Sequence, residues 1–197
     1  MIKYCIFSIT LLTSISSIGI AQVLPIDTTG KVTYYEIVEA PALKKELLYE
    51  NALTWVEALK GIEDKVVIET ADILAGKIVA KNEFPLFSQT GVLKKLSGKV
   101  SYQMTIEMKD NLYRYKFTDF VFHYYKQDRT YKIVATGKTK KLEDPKAAGW
   151  QKLWNKHRAQ TAAKIQTDLT ELKIQMVTVP VSPAKEAEKK KEIKWDN

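Results

Sequence analysis

Lys99-Val100-Ser101-Tyr102-Gln103-Met104-Thr105-Ile106-Glu107-Met108-Lys109 is the stretch that decides the fold. Val100, Tyr102, Met104, Ile106 and Met108 fall on one parity; Ser101, Gln103, Thr105, Glu107 and Lys109 fall on the other. Successive side chains of an extended chain point to opposite faces. The alternation therefore predicts a strand with one face on a core and one in water, as antiparallel sheets allow. Lys109-Asp110-Asn111 supplies turn residues. Beyond them Tyr113, Tyr115 and Phe117 point inward, with Arg114 and Lys116 outward. At Thr118-Asp119 the phase slips, and Phe120, Phe122 and Tyr124 take over the inward positions. A one-residue slip of parity is what a β-bulge produces.

Working outward, Lys31–Glu39 is rich in Val, Tyr, Thr and Ile and reads as a strand. Pro41 suits the first turn of a helix. Leu43, Leu47, Leu48, Ala52, Trp55, Val56 and Leu59 then mark one face of an amphipathic helix that Gly61 ends. Lys65–Glu69 and Gly76–Ala80 read as short strands. Pro85 and Gly91 bracket an irregular connection containing Phe84, Leu86 and Phe87. Tyr131–Thr136 reads as a return strand after a Gln127-Asp128 turn, followed by a basic loop over Gly137–Ala148. Trp150, Trp154, His157, Thr161, Ile165, Leu169, Leu172 and Met176 recur every three or four residues down one side of a long helix, away from Lys152 and Lys156. A sheet with one wet face needs a cover on the other. Two amphipathic helices on that face give an α+β two-layer sandwich. Trp55 and Trp154 are the expected core residues joining helix to sheet.

The ends read differently. Met1 and Lys3 precede an apolar run that closes on Gly19-Ile20-Ala21, the pattern of a secretory signal over residues 1–21. Cleavage after Ala21 would leave Gln22 as the first residue and no stable transmembrane segment. The run is short for a membrane span, which needs roughly 20 apolar residues. Residues 22–178 form the expected single domain, and 179–197 a lysine-rich tail too polar to order itself. Cys5, the single cysteine, lies in the signal, so the core is held by burial without disulfides.

The formal net charge is +8. Acids and bases balance from Gln22 to Tyr131. The excess lies in 132–165, where Glu143 and Asp144 are the only acids. Lys138, Lys140, Lys141, Lys146, Lys152 and Lys156 are the candidate anion-binding residues; a charge run is more often a solvated face. No Gly-x-Ser-x-Gly, Gly-x-Gly-x-x-Gly or Walker pattern occurs. His123 and His157 are the only histidines, and neither has a partner at metal-ligand spacing. No catalytic residue, metal ligand or cofactor is expected. The aromatics of Tyr113–Tyr125, interleaved with Arg114 and Lys116, could form a nucleic-acid platform. Alternating aromatics are more often core, and an exported chain is removed from cellular nucleic acid.

Lys31-Val32-Thr33-Tyr34-Tyr35-Glu36-Ile37-Val38-Glu39, Pro41, Lys45-Glu46-Leu47-Leu48-Tyr49 and Trp55 resemble the opening of a family of secreted bacterial proteins, domain of unknown function 4468. Tyr102–Phe120, with Lys109-Asp110-Asn111 and Tyr113–Asp119, resembles the family's second block. The similarity covers about residues 24–125. It implies a TATA-binding-protein-like fold and a Gram-negative envelope setting: periplasmic, outer-membrane associated or secreted. It implies no activity, and the fold label is not evidence of DNA binding, because one shape serves unrelated tasks. The expectation is a non-catalytic binding or assembly domain whose partner is an envelope protein or polymer. The alternatives are a binder of anionic envelope polymer through 132–165, or an enzyme with a cryptic site.

Overall fold

The structure is a computed structural model that describes residues 24–61, 64–88, 95–146 and 149–179. The expected signal and nearly all of the expected tail lie outside the described residues.

Six strands and two helices follow in the order β1 (Tyr34–Glu39), α1 (Lys45–Ala58), β2 (Lys65–Asp72), β3 (Lys77–Phe87), β4 (Leu96–Lys109), β5 (Leu112–Gln127), β6 (Ile133–Lys141) and α2 (Gln151–Met176). The strands form one antiparallel sheet ordered β1-β5-β4-β3-β2, with β6 also paired to β5. Both helices cover the same face, burying Ile78, Phe84, Tyr102, Met104, Ile106, Phe117 and Phe122 against Leu48, Trp55, Ile165 and Leu172. This is the expected α+β two-layer sandwich. The other face carries cross-strand ion pairs: Lys99–Glu83 at 2.9 Å, Lys77–Glu107 at 3.4 Å and Lys81–Glu69 at 2.6 Å.

The bulge is where the parity slip put it. Ser101 pairs with Val121 but Gln103 with Thr118, so one extra β5 residue is accommodated beside Tyr102. Asp119 takes a φ of 58°, a left-handed conformation that aspartate tolerates. The slip keeps Phe117 and Phe120 both in the core. It also divides the outer edge of β5. Leu112–Phe117 pairs with β1, and Val121–Gln127 with β6.

The β4–β5 turn anchors α1. Asp110 Oδ1 accepts the Lys45 N–H at 3.0 Å, and Asn111 Oδ1 accepts the Ala42 N–H at 2.9 Å. A carboxylate at a helix N-terminus satisfies an orphan donor and complements the helix dipole. The helix therefore begins at Lys45, four residues beyond Pro41, after Ala42 turns the chain at a φ of 65°.

Four sequence expectations are corrected. Phe84–Phe87 continue β3 and are not an irregular connection. Pro85 is tolerated because β2 pairing stops at Lys65–Glu83, so no neighbour needs its missing N–H on that side. Residues 137–141 are strand, not loop. Gly137, at a φ of 74°, absorbs a register break that lets β6 run on to Lys141. Tyr131 belongs to the preceding turn, where Asp128 Oδ1 accepts the N–H groups of Thr130 and Lys132. Trp150 leaves the helical stripe. It is the residue before α2 and is 72% exposed, whereas Trp154 to Met176 keep the buried face.

Candidate functional site

The handover of β5 from β1 to β6 opens a groove of about 950 Å³. Between Tyr125–Ala135 and His123–Thr139, three β6 residues stand opposite Tyr124 alone. The bulged backbone is pinned by Thr136 Oγ1, which donates to the Tyr124 carbonyl at 2.9 Å. Tyr124 and Tyr125 line the groove from β5, and Lys138, Lys140 and Lys141 from β6. Gly30 and the Glu143-Asp144 pair contribute the remaining wall.

The six candidate lysines separate. Lys138 and Lys141 are exposed in the groove and make no ion pair with the described residues. Lys140 also lines it, but its side chain is only 13% exposed. Its Nζ lies 2.7 Å from Asp144 and 5.4 Å from the centre of the Trp154 ring, so it is structural rather than free. That pairing, with the Lys146 N–H, holds the Asp144 carboxyl below the usual carboxylate range. The Asp144 carbonyl accepts Trp154 Nε1–H at 2.8 Å, which ties the groove to α2. Lys146 and Lys152 are exposed beyond the groove. Lys156 donates to the Ser88 carbonyl at 2.6 Å, at the end of β3. Lys126 completes the groove. The charge count missed it because it precedes residue 132; only its place across the β5–β6 hairpin brings it to the others.

Most of the aromatic run is core, but Tyr124 and Tyr125 line the groove and Tyr131 is 83% exposed. Tyr113, Tyr115, Phe117, Phe120 and Phe122 are buried beneath the helices. His157 stacks on Phe122 with ring centres 4.8 Å apart, and burial holds its pKa down at about 4. It is therefore neutral at physiological pH. His123 lies on the open face, its Nε2 2.8 Å from Ser101 Oγ. Sequence distance hid this pair, which the β4–β5 register assembles. A serine hydroxyl at an imidazole is the first contact of nucleophile activation. Among the described residues no carboxylate orients that ring, and the pair lies on a flat sheet face.

A second polar group lies under α2. Asp168 is 1% exposed, and its Oδ1 accepts from Lys164 Nζ at 2.6 Å. Lys164 also reaches Asp64 at 3.3 Å. Asn82 Nδ2 donates to Tyr102 Oη at 3.2 Å, while Asn82 Oδ1 and Asp168 Oδ2 are buried without a partner among the described residues. Desolvation outweighs the attraction of Lys164 and raises the Asp168 pKa to about 6. An acid raised in the folded state binds a proton that the unfolded chain has released. Stability should therefore fall as pH rises from about 4 to 6. At 1.36 kcal/mol per pKa unit, Asp168 accounts for about 2–3 kcal/mol of that fall. In urea titrations across this range, Asp168→Asn should lose the slope and match or exceed the parent at pH 8. An unchanged slope in the variant would show that Asp168 is not the titrating group.

The family described as domain of unknown function (DUF4468) with TBP-like fold matches residues 34–123. No curated protein matches the chain. Two solved structures are similar to it. A TBP-like protein from Parabacteroides distasonis is 21% identical, covering 76% of this chain and 96% of its own, with a TM-score of 0.52. A DUF4468 family protein from Bacteroides ovatus is 17% identical, covering 83% and 95%, with a TM-score of 0.50. At these identities the structures report the fold alone. The matched stretch, residues 34–123, carries β1 and most of β5 and is similar to the DUF4468 family, and the chain has a TBP-like fold.

Proposed function

We propose that this is a non-catalytic, exported binding domain that takes an anionic envelope partner in the β5–β6 groove. The observation that carries the reading is the convergence of Lys126, Lys138 and Lys141 beside Tyr124 and Tyr125 in a groove of about 950 Å³. Ammonium groups with no ion pair among the described residues supply attraction, and tyrosine rings supply apolar faces for a sugar or chain segment. The signal-like start from Met1 to Ala21 supports export.

The protein recovered from the envelope should begin at Gln22 and be retained on a heparin column. Retention should fall steeply with salt, because each neutralised charge releases a counterion and exposed charges are screened beyond about 8–10 Å at physiological ionic strength. Reversing Lys126, Lys138 and Lys141 to Glu should abolish retention without changing the melting temperature. Reversing Lys146 and Lys152 should leave most of it. Equal loss from both sets would mean a diffuse basic surface and no groove site.

A further inference from the structure

Among the described residues the sheet has three free edges, and they are not built alike. The β6 edge is broken by the Gly137 bulge and carries Lys138, Lys140 and Lys141. The β2 edge has a register break between Ile68 and Thr70 and starts with Lys65. Bulges and lysines are the usual devices that keep an edge from pairing with another chain. The β1 edge has neither. Its six residues pair with β5 in unbroken register, none is basic, and its outer side has no strand among the described residues. On the open face of the sheet it presents Tyr35 and Ile37, 54% and 56% exposed, followed by Glu39.

We infer that β1 is a self-association edge whose occupant is β1 of a second copy of this chain. Antiparallel pairing about a two-fold axis through Ile37 sets Ile37 against its own copy and Tyr35 opposite Glu39 of the second copy. Residues directly opposite in an antiparallel pair share a face, so the apolar side chains meet on the open face of one continuous sheet. Charge complementarity selects this occupant. Lys116 is the β5 partner of Tyr35, is exposed, and makes no ion pair with the described residues. Glu39 likewise makes none. In the two-fold arrangement Lys116, Tyr35 and Glu39 of the second copy fall in one row across three strands. At about 4.8 Å per strand spacing, the lysine and glutamate backbones are about 10 Å apart, within reach of the two side chains. The symmetry forms the contact twice. On the helix side, Lys173 bonds Glu36 at 2.6 Å and so holds α2 beside this edge.

Sedimentation equilibrium of the purified chain at micromolar concentration should show a dimer. Ile37→Lys places like charges against each other at the axis and should give a monomer, with circular dichroism and melting temperature confirming an intact fold. Glu39→Lys should weaken the dimer about tenfold, from two lost cross-strand ion contacts of up to about 1 kcal/mol each. Lys116→Glu should do the same, and the double exchange should recover the parent affinity. A monomeric parent, which would leave the edge to a different protein, overturns the inference. So does an Ile37→Lys dimer, or a double exchange that recovers nothing.

Discussion

Replacing Trp55 or Trp154 by alanine should cost about 3–5 kcal/mol each, the range for truncating a buried large aromatic. Both indoles sit between helix and sheet, but they are held differently. Trp55 stacks on Phe117 at 6.1 Å, and its Nε1 has no partner among the described residues. Trp154 packs edge-on against Phe122 at 5.8 Å and donates Nε1–H to the Asp144 carbonyl. Phenylalanine separates the cases. Trp55→Phe removes a buried, unsatisfied donor together with some volume and should be mild. Trp154→Phe strands a carbonyl and loosens the Glu143-Asp144 wall of the groove. Chemical denaturation would read both. Midpoints unchanged in the alanine variants would mean that the helix faces are packed on something else.

Gly98→Ala should be comparably damaging, at about 3–4 kcal/mol, beyond the usual range for overpacking because backbone is involved. A methyl group there would run into the Phe122 ring and the His123 carbonyl, with Phe122 Cε2 at 2.7 Å. Phe122 can turn away only by leaving His157 and Trp154, and the carbonyl belongs to the β5 ladder. Gly149→Ala, where nothing lies within 4 Å of the added carbon, is the control and should change the urea midpoint little. A Gly98→Ala protein as stable as the parent would mean that β4 and β5 can separate locally without penalty.

Alternation in β4, the slip of parity in β5 and the stripe of α2 were legible because each is a local period written over ten residues or more. Pro85 misled because a proline reads as a break unless its position at an unpaired edge is known, and that depends on where β2 stops. Gly137 misled likewise: a glycine inside a lysine-rich run looks like loop, and only its hairpin partner reveals a bulged strand. The groove was half legible. Lys138, Lys140 and Lys141 lay in one run, whereas Lys126 and the tyrosines come from the opposite strand. Lys140 looked like its neighbours in sequence but is turned onto Trp154 and Asp144. Asp168 gave no sign at all. A helical aspartate next to Leu169 reads as surface until the packing of α2 on β3 and β4 shows it enclosed.

The family match ends at residue 123, within the half of β5 that pairs with β6, and every residue lining the groove lies outside 34–123. The groove thus lies outside the matched stretch, as does α2, whose Trp154, Ile165, Leu169, Leu172 and Met176 complete the core. The bulge at Asp119 is the joint between the two halves of β5: β1 has already secured the first before β6 engages the second. A change in the length, charge or shape of the β6 hairpin stays downstream of that joint. The groove therefore hangs on the sheet through one hairpin and on α2 through one indole, like a bracket with two bolts, so its shape can be altered at the hairpin while both fastenings stay in place.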